Sequence, residues 1–177
     1  SKEEILKEIT DRVRESRKRT KKLLDDVREE LERSHRRLEK LIREVEKRLR
    51  EVKRKVDESG QSEEMVKRVE DVVRTLTEEL KKVLKENRDE IRRIEKRIKE
   101  IDEENDRTIR RIEDRIRREG ADEDVVRDLR RLVKEDTDRA RKVVRELERE
   151  VERDKEEVER IVDKAEKKVR ELEERIR

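Results

Sequence analysis

The chain has 177 residues, with 57 Lys or Arg, 54 Asp or Glu and one His, so 63% of it is charged and yet the net charge is only +3. Phe, Trp, Tyr, Cys and Pro are absent and there are only two Gly, which removes disulfide frameworks, thiolate metal sites and aromatic stacking platforms from consideration. No apolar run approaches the ~18 residues of a membrane span and no signal-peptide h-region is present, so a soluble chain without a targeting signal is expected.

The two glycines divide the sequence. Ser1 with Glu4 fits a capping box, and the first helix is expected over about 2–58. Gly60, in Glu58-Ser59-Gly60-Gln61-Ser62, reads as a left-handed C′ glycine followed by the N-cap Ser62, opening a second helix over about 62–119. Gly120 repeats the device in Glu119-Gly120-Ala121-Asp122, with Asp122 capping a third helix over about 122–176. Acids follow both caps, where the helix dipole favours them. Turns this short force antiparallel neighbours. At ~1.5 Å per residue each helix would be roughly 85 Å long.

Low hydrophobicity suggests either disorder or a solitary charged helix held by i,i+4 ion pairs. The aliphatics exclude both. Each segment holds 15 Leu, Ile and Val residues. In the first, the stripe runs Ile9, Val13, Ser16, Thr20, Leu24, Val27, Leu31, Ser34, Leu38, Ile42, Val45, Leu49, Val52, Val56, which is 13 steps over 47 residues, or 3.6 residues per step. The same count runs from Val69 to Ile116 and from Leu129 to Ile176. The underlying unit is 18 residues, and six of its eighteen phases on each helix capture 43 of the 45 aliphatics, leaving out Val72 and Leu132. A heptad seam drifts ~20° per seven residues and supercoils, whereas eighteen residues close five turns. The expectation is an all-α, up-down-up antiparallel three-helix bundle, long and straight, forming a single domain over 1–177. The order of the helices around the axis is left open.

Antiparallel pairing makes partner numbers in the first two helices sum to about 121, and the third helix follows the first at an offset of 120. Ile9 then meets Ile112 and Leu129; Val27 meets Ile94 and Leu147; Val52 meets Val69 and Leu172. The polar interruptions fall together too. Ser16 lies with Asn105 and Asp136, and Ser34 with Asn87 and Asp154, so one triplet appears twice, ~27 Å apart. A carboxylate accepts, a hydroxyl does both and an amide does both, so each triplet can satisfy itself. Thr20, His35 and Thr137 are candidate extensions of these networks. Their expected role is structural: a shifted or reversed helix would bury Asp against Leu.

Ser34, His35 and Asp154 are also the residue types of a hydrolase triad. Neighbouring helix side chains diverge by ~100°, however, and helical N–H groups offer no oxyanion hole, so no catalytic residue is expected. One His without Cys argues against a metal site, and no cofactor is implied. The surface carries favourable pairs such as Glu63–Lys67, Glu64–Arg68, Glu95–Lys99, Glu166–Arg170 and Glu171–Arg175. By segment the net charge is +5, 0 and −2. Without like-charge blocks or aromatics, neither specific nucleic acid nor membrane is an expected partner, and Arg12 to Arg19 is the best site for weak, salt-sensitive sticking.

In its phase-locked aliphatics, aromatic-free Glu/Lys/Arg surface, short glycine turns and duplicated Ser–Asn–Asp layers, the whole chain resembles a computationally designed helical bundle. The specific resemblance is to the single-chain, parametric, untwisted three-helix type with an 18-residue repeat and buried hydrogen-bond networks. It implies very high stability, a monomer and use as a scaffold or as the cage of a switch, and no substrate. A spectrin-like repeat is similar in topology, but the buried Trp of that family is missing and its helices are about half as long. Two classes of role follow: a ligand-free structural scaffold, or an interaction module that pairs or exchanges a helix with a helical partner. A stripe of six phases covers one three-helix core and no second face, which favours the monomer.

Overall fold

The computed structural model describes residues 2–59, 63–120 and 122–176. It holds three α-helices: α1, Lys2–Ser59; α2, Glu63–Glu119; and α3, Asp124–Ile176. Together they form an all-α three-helix bundle with up-down-up topology. The capping assignments at Ser1, Gly60 and Ser62 lie outside the described residues.

The α2–α3 turn follows from its side chains. Gly120 has φ +66°, a left-handed conformation that costs a residue with a Cβ about 1–2 kcal/mol, and its N–H donates to the Arg117 carbonyl at 3.3 Å. Asp122 Oδ1 accepts the Asp124 N–H at 3.0 Å. Because the Asp122 side chain is spent on this cap, Asp122 and Glu123 belong to the turn and α3 begins at Asp124, two residues later than expected. The Glu123 carbonyl then accepts from Val126 and Arg127 at 3.1 and 3.3 Å. Arg117 and Arg118 occupy the last turn of α2, where cations complement the dipole.

The chain's contacts fall into two compact units, and every helix contributes to both. The first comprises Ser1–Glu29 and Glu90–Glu148. Ile5 and Ile9 of α1, Ile109, Ile112 and Ile116 of α2, and Val126, Leu129 and Val133 of α3 make one buried cluster there, containing the expected layer Ile9–Ile112–Leu129. Val27, Ile94 and Leu147, another expected layer, are also buried. The second unit comprises Glu30–Asp89 and Arg149–Arg177. Its core runs through Leu38, Val45, Leu80, Val83, Val158 and Ala165 and includes Val52, Val69 and Leu172. Full burial of one Leu or Val is worth about 1.5–3 kcal/mol, so it is this seam that pays for ordering so charged a chain.

The two aliphatics outside the phase pattern stay outside the core. Val72 is 38% exposed, and Leu132 is only half-buried.

Candidate functional site

The only polar side chains classed with the core among the described residues are Asn87 and Thr137. Both interrupt an aliphatic seam, so the polar positions are where chemistry could reside.

In the second unit, Ser34 Oγ donates to Asn87 Oδ1 at 2.5 Å. Asn87 is 5% exposed and Ser34 half-buried. In the first unit the equivalent residues meet in the opposite sense, with Asn105 Nδ2 donating to Ser16 Oγ at 3.1 Å. A hydroxyl both donates and accepts, so either direction serves. No buried side-chain nitrogen or oxygen among the described residues lacks a hydrogen-bond partner.

The aspartates depart from the expected triplets. Asp136 accepts from Arg17 Nε at 2.7 Å and from an Arg139 guanidinium nitrogen at 2.9 Å. Asp154 Oδ1 lies 2.8 Å from His35 Nδ1. Each carboxylate thus goes to the α1 residue one beyond the serine, at an offset of 119 rather than 120. The physical reason is solvation: at the seam edge an ionised carboxylate finds a cation and water together, whereas a central place would strip it of water. Side-chain exposures of 19% for Asp136 and 13% for Asp154 fit this edge position.

Arg17 was missed at the sequence level, and a signal for it existed. Shifting by the 18-residue repeat carries Arg17 onto His35, just as it carries Ser16 onto Ser34. His35 therefore occupies the cation slot of its layer. Thr137, offered as a network extension, instead donates to the Val133 carbonyl of its own helix at 3.0 Å, which satisfies the hydroxyl locally. Thr20 is half-buried and the opposing Ala140 is buried.

His35 is held on two sides, since its Nε2 lies 2.9 Å from Glu39 Oε1, one turn along α1. Burial by itself would lower the imidazole pKa, but Asp154 and then Glu39 favour the cation and raise it above 6.5. The Asp154 pKa is also raised, because its burial outweighs the pull of His35, with Glu157 and Glu150 adding repulsion. An ion pair alone would lower the carboxyl, so desolvation is the larger effect on that side. Beside this pair runs an open groove of about 590 Å³ floored by Leu31, Asn87 and Val151, whereas the groove beside Ser16 and Asn105 is about 50 Å³.

This arrangement does not assemble a nucleophile and a base. The Ser34 hydroxyl is committed to Asn87, and both ring nitrogens of His35 face carboxylates, leaving neither to take the serine proton. Among the described residues no group of three or more His, Asp or Glu is placed to hold a metal ion. None of the described helices is long and apolar enough to cross a membrane.

On the surface, Glu64 and Arg68 pair at 2.9 Å as their spacing suggests, while Arg175 reaches across to Asp57 at 3.4 Å. Glu95 on α2 and Glu148 on α3 form a like-charge pair whose hydrogen bond, with burial and repulsion, raises the Glu95 pKa.

No protein-family model matches the sequence, and no curated protein matches it. Among solved structures the chain is similar to one described as a computationally designed three helix bundle, with 16% identity, a TM-score of 0.49, and coverage of 98% of this chain and 82% of that one.

Proposed function

We propose that this chain is a designed, monomeric structural scaffold without a natural substrate, in which two polar layers set helix register and topology. The observation that carries this reading is the recurrence of a Ser–Asn hydrogen bond, Ser16–Asn105 and Ser34–Asn87, at an 18-residue translation within otherwise aliphatic seams. Each layer adds an Asp–cation contact on its edge. A polar group that is matched in one register and unmatched in its neighbours costs about 1–3 kcal/mol whenever the helix slips, so it selects rather than stabilises. Monomeric behaviour is supported by the scarcity of apolar surface: the exposed large hydrophobics among the described residues are Leu6 and Val72, one in each unit.

Replacing Ser16, Asn105, Ser34 and Asn87 together by aliphatics of matching volume tests the assignment. The parent should give one monomeric mass by light scattering at every concentration. The fourfold variant should keep its helicity and melt at or above the parent, but give mixed masses or broadened amide resonances. A variant that melts well below the parent, with sharp resonances, would show that the layers are there for stability and overturn the reading.

A further inference from the structure

The two layers differ in the α1 residue that meets the edge aspartate, Arg17 in one and His35 in the other, and the Arg139 that also pairs with Asp136 is replaced eighteen residues on by Glu157 beside Asp154. Imidazole is the side chain that ordinarily changes charge near neutrality, and a guanidinium is not, so the two residue types bring different chemistry to the same slot. The geometry makes that difference consequential. Nδ1 of His35 faces Asp154 at 2.8 Å and Nε2 faces Glu39 at 2.9 Å, and each partner is a carboxylate that only accepts. An imidazolium donates to both. A neutral ring has one N–H, so one carboxylate must face a lone pair.

We propose that His35 is a proton-dependent tether between α1 and α3 in the unit formed by 30–89 and 149–177, fully engaged as the imidazolium and weakened when the ring is neutral. Around it, α1 contributes Glu32, Arg36 and Glu39, with Glu39 also 3.6 Å from Arg43. From α3, the neighbours are Glu150, Arg153, Asp154 and Glu157, whereas α2 presents the uncharged Asn87 to this groove. Glu39 sits on an exposed face with a second cation available, so it is the partner released on deprotonation, while Asp154 is left with one neutral hydrogen bond. The raised His35 pKa supports the same picture, since it requires the folded chain to hold the proton more tightly than the unfolded chain does. The sign follows: the contribution is complete below 6.5 and is lost as pH rises through the folded value.

The test uses the full chain, with the His35→Arg and Asp154→Asn variants beside it. Ring resonances of the single histidine give its pKa directly; it should lie above 6.5 in the parent and drop in Asp154→Asn. Amide exchange around residues 150–158, corrected for intrinsic rates, should speed up in the parent from about pH 5 to about pH 9 and stay flat in His35→Arg. Amides around 132–140, beside Arg17, should show no such trend in either protein and serve as the internal reference. A histidine pKa at or below 6.5, a pKa indifferent to Asp154→Asn, or parent and His35→Arg exchange profiles that run parallel would each overturn the tether.

Discussion

Removing the Asn87 amide is the sharpest probe of the layers. Asn87→Ala deletes a side chain that is 5% exposed and that accepts the Ser34 hydroxyl at 2.5 Å. The hydrogen bond itself is worth about 1 kcal/mol net, and the orphaned Ser34 hydroxyl adds a penalty from the lower half of the ~1–3 kcal/mol range, because Ser34 is half-buried and water can reach it. With a small packing loss, the expected destabilisation is about 2 kcal/mol. The equivalent Asn105→Ala should cost about half as much, since Asn105 and Ser16 are both half-buried and their contact is longer, 3.1 Å. Guanidinium denaturation followed by far-UV circular dichroism reads both. With a slope of about 4 kcal/mol per molar, Asn87→Ala should shift the midpoint down by about 0.5 M. Combining Asn87→Leu with Ser34→Ala removes both polar partners at roughly constant volume and should return the midpoint to the parent value or above. A neutral Asn87→Ala, or a double variant less stable than the single one, would refute the claim that this pair is matched at close to break-even cost.

Gly120→Ala should lower stability by about 1 kcal/mol through backbone strain alone, because an added Cβ meets nothing within 4 Å; Gly120→Asn should lose less, and equal losses for the two in thermal denaturation would argue against strain as the cause. Glu148→Lys should raise stability at neutral pH by a few tenths of a kcal/mol, about 0.5, by turning the Glu95–Glu148 repulsion into an attraction. The sign comes from the raised Glu95 pKa: the folded parent loses stability as pH rises from the ordinary carboxyl range through the raised value, so the variant's advantage should be largest at neutral pH and shrink once the carboxyls are protonated. Denaturation midpoints at the two pH values check this, and an advantage independent of pH would refute it.

Much of the fold was legible because it depends on periodicity and on glycine, both of which are written in residue identities. Gly120 at φ +66° and the Asp122 cap follow from composition at the turn, and Ile9, Ile112 and Leu129 share a cluster because 3.6-residue spacing leaves few alternative faces. The Ser–Asn pairs were legible for the same reason. The aspartates were not, because a register rule counts backbone positions while a carboxylate chooses its partner by solvation. Asp136 and Asp154 hold seam positions at its edge but turn to the longer side chains of Arg17 and His35, one residue beyond the serines. The repeat that revealed the serines could have named those cations, had polar positions been compared for charge as well as for burial.

An 18-residue repeat also creates an ambiguity that its own polar layers cannot remove. Sliding α1 by one turn would drive Ser34 among aliphatics, but sliding it by eighteen residues would restore every apolar phase and bring Ser16 opposite Asn87. Ser34 would then be misplaced against Val69, and Asn105 would lie beyond the start of α1 with no serine opposite it. If the layers set register as proposed, they act as a ruler with coarse graduations: they reject small errors but still match one layer of two after a whole-repeat error. The connections supply the missing origin. The three residues 60–62 that separate α1 from α2 in the chain, and the four residues Gly120–Glu123 between α2 and α3, are too few to span a shift of ~27 Å, so the connections fix which graduation is zero.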